Sequence, residues 1–533
     1  MIAPLSKKNS SVLPNPKNFG QVLIGFGATV ILTSLVVTGA IIGLRQGGFL
    51  EGYELEAYDS LIRSSPESGP DERLVVVEIT QDDIRKQNEF PIWDDTLARL
   101  LQRLEEYQPR AIGIDIGRDV PIGEGRDKLQ KVLKENDNII AACILSSVDE
   151  PGTSAAPGVP PERIGFADLP QDIDAKIRRT ALVSIPAESK VPIVKPHLCN
   201  YVSDDNQIPS FAFSLALLYL QGDGIEPEQT EEGYIKLGPA LFKPLEEDSG
   251  GYFSTGATDY QIMIDYRSAE KAVQLVTLSD VLEKKVDPAL LRNRIVLVGY
   301  TASTVNDDFP TPYSAGKQAR VEMPGVIIHA QIVSQILSTV WNNRPLIWYW
   351  PQWSEMLWIF GWSVVGGTLA WKIRRPWIFI PVAGVAIAIL YNASYQVFLR
   401  GGWIPLVPPG LGLVVTAGSV LLIDRYAQAV YQGVKKLLRI DITIDQTEKA
   451  KQVAEITESE TFLELQQKAA ELRNRKKNLD SLDTLPSTSK TLEEKPANQE
   501  PELITSSDPE DYLQGLQQRG RRMRKKPDDE LSE

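Results

Sequence analysis

One apolar stretch decides how the rest of the chain is organised: GQVLIGFGATVILTSLVVTGAIIGL, residues 20–44. It holds no charged residue and is about as long as a bilayer requires, roughly 20 residues. Lys7, Lys8 and Lys17 precede it, and by the positive-inside rule they keep the N-terminus in the cytoplasm. No A-x-A-like cleavage site closes the stretch. We therefore predict an uncleaved membrane anchor, followed by an exported part over residues 45–345.

Length, charge and cysteine content narrow the class of protein. The 533 residues suffice for two or three domains, and the net charge is -14. A general nucleic-acid binder needs a basic surface, so we expect no nucleic-acid partner. Both cysteines, Cys143 and Cys199, lie in the exported part, where a disulfide can form, but Cys143 also sits in an apolar run that suits a buried thiol. The sequence leaves both states open.

The exported part alternates helix-like and strand-like segments. They follow in the order helix 53–63, strand 73–80, helix 94–107, strand 111–116, helix 127–135 and strand 138–145. Residues 211–220 and 326–337 are apolar enough to form buried helices. Continuously apolar strands are typical of a parallel sheet that is covered on both faces. The predicted fold class is therefore α/β, with a mostly parallel sheet and helices on both faces.

Three more apolar segments follow, at residues 353–371, 376–398 and 403–423, and Trp residues cluster at their edges as in an interfacial aromatic belt. The basic connection at 372–375 is expected inside, whereas the connection that carries only Arg400 is expected outside. We therefore predict four transmembrane helices with both termini cytoplasmic, in the inner membrane of a bacterial cell.

The two ends of the chain are polar. We predict a cytoplasmic leader at 1–19, a cytoplasmic helical segment at 424–478 and a disordered tail at 479–533. The basic cluster Arg519–Lys526 suits anionic lipid or an acidic protein, and equally a solvated tail that binds nothing. The tail holds no histidine and no GxxxxGK[ST] phosphate loop, so we expect no catalytic output domain in it.

Acidic residues after the second predicted strand are the first binding candidates. Asp115 ends that strand, and Asp119 and Asp127 follow in a Gly-rich loop. Ligands of open α/β sheets bind outside the carboxyl ends of the strands, which favours these positions. A helix cap or a closed turn is the alternative explanation for Asp115.

A second candidate group lies after the apolar run 294–299. Asp308 and Thr311 are in the loop that follows it, and His329 is on the next predicted helix. If they converge, a carboxylate, a hydroxyl and a titratable ring would meet a polar ligand. For His329 we favour the alternative of a histidine satisfied within the core.

Asp172 and Asp174, with Arg178 close by in sequence, form the third group. Two carboxylates suit a divalent cation, but the spacing is not that of an EF-hand, and turn chemistry explains them as well. The scattered His and Cys residues do not have the spacing of zinc ligands. We expect no cofactor, and the sequence leaves the question of a metal open.

Several separated motifs carry a family resemblance. They are Tyr58-Asp59, the strand at 74–79, AIGIDI at 111–116, GFAD at 165–168, Asp172-x-Asp174 followed by Arg178-Arg179, RIVLVGYTA at 294–302, DFPTP at 308–312 and MPGVIIHA at 323–330. Over most of residues 50–340 the chain resembles the type-two CHASE domain, an extracytoplasmic sensory module often attached to bacterial cyclases, kinases and phosphodiesterases. The chain departs from the family pattern at Ala175, where the family has Gly, and in lacking a recognisable output domain.

The resemblance implies a sensor but leaves its signalling mode open. Because the tail has no recognisable output domain, we predict that the sensor binds a small molecule or envelope component and signals through a separate cytoplasmic protein. Gly39-x-x-x-Gly43 in the anchor also permits a homodimer. Two alternatives remain: an envelope structural or assembly protein that uses the domain as a docking surface, and an extracytoplasmic enzyme that uses two carboxylates. Because no nucleophile elbow or other specific catalytic motif is present, we expect no enzyme activity.

Overall fold

The computed structural model describes residues 16–253, 259–314, 322–341 and 344–438, together with 464 and 467–469. Four predicted features lie outside the described residues: the leader before Pro16, nearly all of the segment 424–478 beyond Leu438, the tail at 479–533, and within it the basic cluster Arg519–Lys526. All contacts reported below lie within the compact unit that ends at Leu421.

The predicted helices are present, with small shifts at their ends. In chain order the helices are α1 (Pro16–Gln46), α2 (Glu51–Ser64), α3 (Gln81–Gln87), α4 (Asp94–Glu105), α5 (Arg126–Glu135), α6 (Phe211–Gln221), α7 (Leu278–Leu282), α8 (Pro288–Leu291), α9 (Gly325–Val340), α10 (Gln352–Lys372), α11 (Pro376–Phe398) and α12 (Val407–Leu438).

The strands include those predicted and several short ones. In chain order they are β1 (Leu74–Ile79), β2 (Ala111–Asp115), β3 (Ile139–Cys143), β4 (Ile164–Phe166), β5 (Arg179–Ser184), β6 (Ile208–Pro209), β7 (Pro227–Gln229), β8 (Ile235–Leu237), β9 (Ala240–Phe242), β10 (Tyr260–Met263), β11 (Gln274–Thr277), β12 (Ile295–Tyr300), β13 (Asp308–Phe309), β14 (Met323–Pro324), β15 (Trp348–Tyr349) and β16 (Gly402–Trp403).

The central sheet has six strands in the order β11-β1-β12-β2-β3-β4. Every neighbouring pair in it is parallel, so the mostly parallel sheet is confirmed. β12 comes late in the chain but inserts between β1 and β2. Two smaller antiparallel sheets, β10-β5-β6 and β7-β8-β9, pack beside it and were not predicted.

Helices cover both faces of the central sheet because successive strand residues point to opposite sides. On β1, Leu74 and Val76 join the cluster that includes α6 and α9, whereas Val75 and Val77 join the cluster of α4, α5 and α7. On β2, a Cβ at Gly113 would lie within 2.7 Å of side chains of α6, so this glycine lets α6 approach the sheet closely. The α/β class is therefore confirmed.

Helices also occupy the four predicted membrane segments, but only some of them meet the length and composition required of a span. In the described part of the chain, Gly27–Gln46 and Pro376–Phe398 are long and apolar enough to cross a bilayer. α10 contains Glu355 and several tryptophans, and the apolar part of α12 ends at Ile423. The full four-span arrangement stays a prediction.

The helices at these segments pack on one another through small residues. Thr38 of α1 donates a hydrogen bond to Ser363 of α10 at 3.2 Å, and a Cβ at Gly366 of α10 would lie 2.1 Å from the carbonyl oxygen of Leu413 in α12. Nothing in the described chain packs against Gly39 or Gly43 of the anchor. The homodimer through these glycines stays a prediction.

A disulfide joins Cys143 at the end of β3 to Cys199, with their Cα atoms 6.5 Å apart. Of the two states that the sequence left open, the structure has the bonded one. The bond ties the carboxyl edge of the sheet to the segment around residues 198–200, which forms a 3-10 turn.

Candidate functional site

One row of residues crosses the carboxyl edge of the central sheet. Glu78 of β1 is in register with Gly299 of β12, and Gly299 is in register with Asp115 of β2. Paired residues of neighbouring strands point to the same face, so the two carboxyl groups flank a glycine. A Cβ at Gly299 would lie 2.5 Å from the Cβ of Val326, which means that the N-terminus of α9 sits over this gap.

Asp307 joins Asp115 from the loop after β12. Its carbonyl oxygen accepts a hydrogen bond from the N–H of Gly325 at 2.9 Å, and its carboxyl oxygens lie 3.1 and 3.2 Å from where a Cβ of Gly325 would be. Asp307 therefore packs against the N-terminus of α9, whose dipole favours a negative group.

The pair formed by Asp115 and Asp307, here called the aspartate pair, titrates near neutral pH. Burial raises the pKa of Asp115 to about 7. Burial, with the charge of Asp115, raises the pKa of Asp307 to about 7. Among the described residues neither carboxyl group has an ion-pair partner that would hold it ionised. The pair can therefore take up or release a proton, or accept a cationic ligand, around pH 7.

A cavity of about 250 Å³, here called the edge cavity, opens on the same edge. Its lining includes Glu78, Thr301, Thr311, Tyr313 and Glu322. The hydroxyl of Thr301 donates to the carboxylate of Glu78 at 3.1 Å, and burial raises the pKa of Glu78. The described residues of the lining are acidic, hydroxylic or apolar, so the cavity suits a small ligand with positive charge or with N–H and O–H donors.

The second predicted group does not converge at one point. Thr311 lines the edge cavity, while Asp308 opens β13 and is in register with Pro324, its pKa raised by burial and by the charge of Glu322. His329 lies buried on α9 with its ring edge-on to Phe211 at 5.3 Å.

His329 is a core histidine with a backbone partner. Burial lowers the pKa of its imidazole to about 4, although a hydrogen bond to the backbone of Ala167 opposes that shift. At neutral pH the ring is therefore uncharged, and it packs within the apolar layer between α9 and α6.

Asp119 and Asp127 stay at the surface and do not join Asp115. Asp119 is exposed in the loop after β2, and Asp127 is exposed in the first turn of α5, where a carboxylate favours the helix dipole. Arg126 holds this loop by donating to Asp94 and to the carbonyl oxygen of Arg118.

The third predicted group forms a buried ion cluster, here called the Arg178 cluster. The guanidinium of Arg178 is 0% exposed and donates to Asp59 of α2 at 2.7 and 2.8 Å. It also donates to Asp172 at 2.7 Å and to Asp174 at 2.7 and 2.8 Å. Arg179 donates to the other oxygen of Asp172 at 2.9 Å. Arg178 and Asp174 thus bind protein groups.

Charge compensation inside this cluster is strong. Despite burial, hydrogen bonds from Arg178 and the charges of Arg178 and Lys176 lower the pKa of Asp174 to about 2. The same carboxylates raise the pKa of Arg178 above its usual value, against the effect of burial. The cluster ties α2 to the chain segment before β5.

α2 also contacts the helices at the predicted membrane segments. The carboxylate of Glu54, which is 3% exposed, accepts hydrogen bonds at 2.8 Å from the backbone N–H groups of Leu406 and Val407. The ring of Tyr58 packs against Phe398 at 5.6 Å and against the buried Trp403 at 4.9 Å. One helix therefore joins the Arg178 cluster to the N-terminus of α12.

Asp307, Asp59 and Glu54 are the site residues that sequence reasoning missed. The Tyr58-Asp59 motif could have pointed to Asp59, and the position of Asp307 next to the candidate Asp308 could have pointed to Asp307. Nothing in the sequence could have pointed to Glu54, because its partners are backbone groups more than 350 residues further along the chain.

Comparison with known families settles where the chain belongs. The family model described as the CHASE2 domain matches residues 36–368, which is more than half of the chain. This chain belongs to the CHASE2 domain family. The family comprises sensory extracellular domains of membrane proteins, so the resemblance drawn from the motifs is confirmed. Comparisons with curated proteins and with solved structures gave no match.

Proposed function

We propose that this CHASE2 protein is a membrane-anchored sensor that binds a ligand outside the cell membrane and reports it to a separate cytoplasmic protein. The observation that carries the proposal is the cap that Glu54 of α2 makes on α12. The exported part at residues 45–345 is here called the outer domain. α12 begins beside it and continues through the last predicted span, so it is the most direct mechanical link between ligand and cytoplasm.

A bilayer around the helices is supported by their apolar surfaces. On α1, Leu32 and Val36 are 64% and 65% exposed, and on α11 Ile380 and Val385 are similarly exposed. Contiguous exposed apolar surface of this kind marks a membrane or partner contact. The basic connection at residues 372–375 supports the orientation with the outer domain exported.

An exported location is supported by the disulfide as well. Structural disulfides persist in oxidising compartments and are rare in the cytosol. Cys143 and Cys199 are the chain's two cysteines, and the structure bonds them. We place the protein in the inner membrane of a bacterial cell, with both termini cytoplasmic.

The ligand site in this proposal is the aspartate pair with the edge cavity, and the ligand class is a small cation or a donor-rich polar molecule. Pro324 and Ile327 at the start of α9 line the edge cavity, and Asp307, which lies outside that lining, contacts the same end of the helix. Binding at either place therefore changes the packing of α9 on the sheet. A ligand shifts the signalling equilibrium only by the difference of its affinities for the two states.

The proposal is tested by proximity labelling from the C-terminus in cells. We expect the wild type to label a reproducible cytoplasmic partner, and Glu54→Gln to lose or change it, since each carboxylate oxygen accepts one N–H group and the amide replaces one of these oxygens by an NH2 donor. Such a cap contributes about 1 kcal/mol, so the variant should still fold. Glu56→Gln, on the same helix but exposed, is the matched control. Unchanged labelling in Glu54→Gln would contradict the coupling.

The second candidate function, an extracytoplasmic enzyme, has one supporting observation. Two carboxyl groups with a pKa of about 7 are suited to general acid and base roles. That candidate requires turnover that disappears in Asp115→Asn while the melting temperature is kept. The sensor proposal assigns no activity to the chain and expects none in the same assay.

A further inference from the structure

A second cavity lies apart from the aspartate pair, where the outer domain meets α1 and α10. Its volume is about 370 Å³, which is within the range of small-molecule sites. We call it the juxtamembrane cavity. Its lining comprises the end of α1 (Ile42, Arg45, Gln46), the loop Glu247, Asp248, Tyr252 and Phe253, and the start of α10 (Gln352, Met356, Ile359).

The cationic group in this lining is already neutralised. Arg45 pairs with the buried carboxylate of Glu355 at 2.5 Å and also donates to the carbonyl oxygen of Gly250. Glu247 and Asp248 are exposed, and among the described residues neither forms an ion pair. The cavity therefore carries net negative charge, which favours a cation over an anion.

Apart from Gln46 and Gln352, the remaining lining is apolar or aromatic. Ile42, Met356 and Ile359 form an apolar wall on the two helices, and the half-exposed ring of Phe253 lies on the side toward the outer domain. Tyr252 lines the same side, but it is buried and the guanidinium of Arg179 lies over its ring at 4.7 Å, so the accessible aromatic surface is that of Phe253. Aromatic faces attract ammonium groups, especially where these are partly desolvated. A bare metal ion would leave the apolar wall without a partner.

We propose that the juxtamembrane cavity binds an amphipathic organic cation: an ammonium group held by Glu247, Asp248 and the ring of Phe253, with an apolar chain along the helices. The ammonium belongs either to a lipid headgroup or to a free alkylamine. The location at the outer bilayer face rests on the proposed function and its topology.

Tyr252 connects the cavity to the contacts between α2 and α12. The hydroxyl of Tyr252 donates to Asp172 of the Arg178 cluster at 3.0 Å, and its ring meets Trp403 edge-on at 5.7 Å. A ligand in the cavity that contacts Tyr252 therefore acts on the same contacts that join α2 to α12.

The test uses the purified full chain in dodecyl maltoside micelles, with the melting temperature followed against probe concentration. Octylamine and phosphatidylethanolamine represent the free and lipid ammonium, while octanol and phosphatidylglycerol are their uncharged and anionic counterparts. We expect at least one ammonium probe to raise the melting temperature more than its counterpart. Which probe acts identifies the source.

Two variants decide whether this cavity is responsible. The double variant Glu247→Gln, Asp248→Asn should need at least about tenfold more probe for the same shift, whereas Glu231→Gln, Glu232→Gln, another pair of adjacent exposed carboxylates, should respond as the wild type. Phe253→Leu, which keeps apolar bulk without an aromatic face, should also weaken the response. Equal shifts for ammonium probes and counterparts, or an unaltered double variant, would overturn the proposal. Because no partner protein is involved, failure here is separate from failure of the labelling experiment.

Discussion

The outer domain holds two groups of ionisable side chains that obey opposite rules. In the Arg178 cluster, each carboxylate faces a cation, and the pKa of Asp174 falls to about 2. In the aspartate pair, no carboxyl group has a cationic partner among the described residues, and burial, with the charge of Asp115 acting on Asp307, raises the pKa of each to about 7. The Arg178 cluster includes Asp59 of α2, and Asp307 of the aspartate pair contacts the N-terminus of α9.

The two groups therefore suit different roles: the Arg178 cluster holds structural elements together, whereas the aspartate pair can respond to conditions. A cluster in which one buried guanidinium binds three carboxylates, and in which the pKa of Asp174 is depressed, is suited to holding α2 in place. A pair of like groups with pKa values near 7 changes charge under ordinary conditions, so it is suited to sensing. Sequence analysis named residues from both groups as binding candidates. Only the interaction partners seen in the structure show which group is saturated and which is not.

The largest expected effect comes from breaking the Arg178 cluster. Arg178→Met leaves the buried Asp59 and Asp172, and the more exposed Asp174, without their shared partner, and we expect the free energy of unfolding to fall by about 3–5 kcal/mol. Chemical denaturation of the full chain in micelles measures it. Arg292→Met, at an exposed position, should change it by less than about 0.5 kcal/mol. A small effect at Arg178 would mean that the cluster does not fasten the domain.

The next effect concerns the disulfide, which secures β3 beside the strand that ends in Asp115. Its two cysteines are 56 residues apart, so Cys143→Ala with Cys199→Ala should cost about 2–4 kcal/mol of stability. In chemical denaturation, reductant should lower the unfolding midpoint of the wild type to that of the double variant and leave the midpoint of the double variant unchanged. If reductant has no effect on the wild type, the bond contributes nothing to the sheet edge.

The smallest effect is the pH dependence that the aspartate pair imposes. An Asp with a raised folded-state pKa binds its proton in the folded state where the unfolded chain has released it, between about pH 4 and 7. Its contribution to stability is therefore lost as pH rises through 7. Asp115→Asn should be more stable than the wild type at pH 8 by about 1–2 kcal/mol, discounted for partial exposure, and this advantage should disappear by about pH 4.

The control for this pH profile is Asp119→Asn, an exposed neighbour that should leave the slope unchanged. His329 contributes in the opposite sense, because its lowered pKa makes stability rise with pH between about 4 and 6.5. It is present in all three proteins, so differences between them isolate the aspartate pair. If the free energy of unfolding varies with pH in the same way for the wild type and Asp115→Asn, the aspartate pair does not titrate near neutral pH.

Local sequence patterns were sufficient for most of the main elements. The apolar runs at β1, β2 and β3 and the helical spacing of α4 and α5 are properties of neighbouring residues, so periodicity predicts them. The place of β12 between β1 and β2 depends on pairing across more than 150 residues, and β4 has only three residues. Neither the position of β12 in the sheet nor the three-residue strand β4 can be predicted from the pattern of neighbouring residues.

The candidate site was predictable only in part for the same reason. Asp115 could be named because it ends an apolar strand, but choosing between Asp307 and Asp308 requires the β13–β14 pairing, which places Asp308 opposite Pro324. Arg178 could be named, yet its partner Asp59 lies 119 residues earlier, so the sequence could not show that the guanidinium is saturated.

The most direct test of the account is the side of the membrane on which the outer domain lies. The disulfide occupies the chain's two cysteines, so a single new thiol can be labelled selectively. With a membrane-impermeant maleimide, we predict that Asp205→Cys in the outer domain reacts in intact cells and that Arg374→Cys between α10 and α11 reacts only after permeabilisation. Labelling of Arg374→Cys from outside, or protection of Asp205→Cys, would contradict the exported sensor.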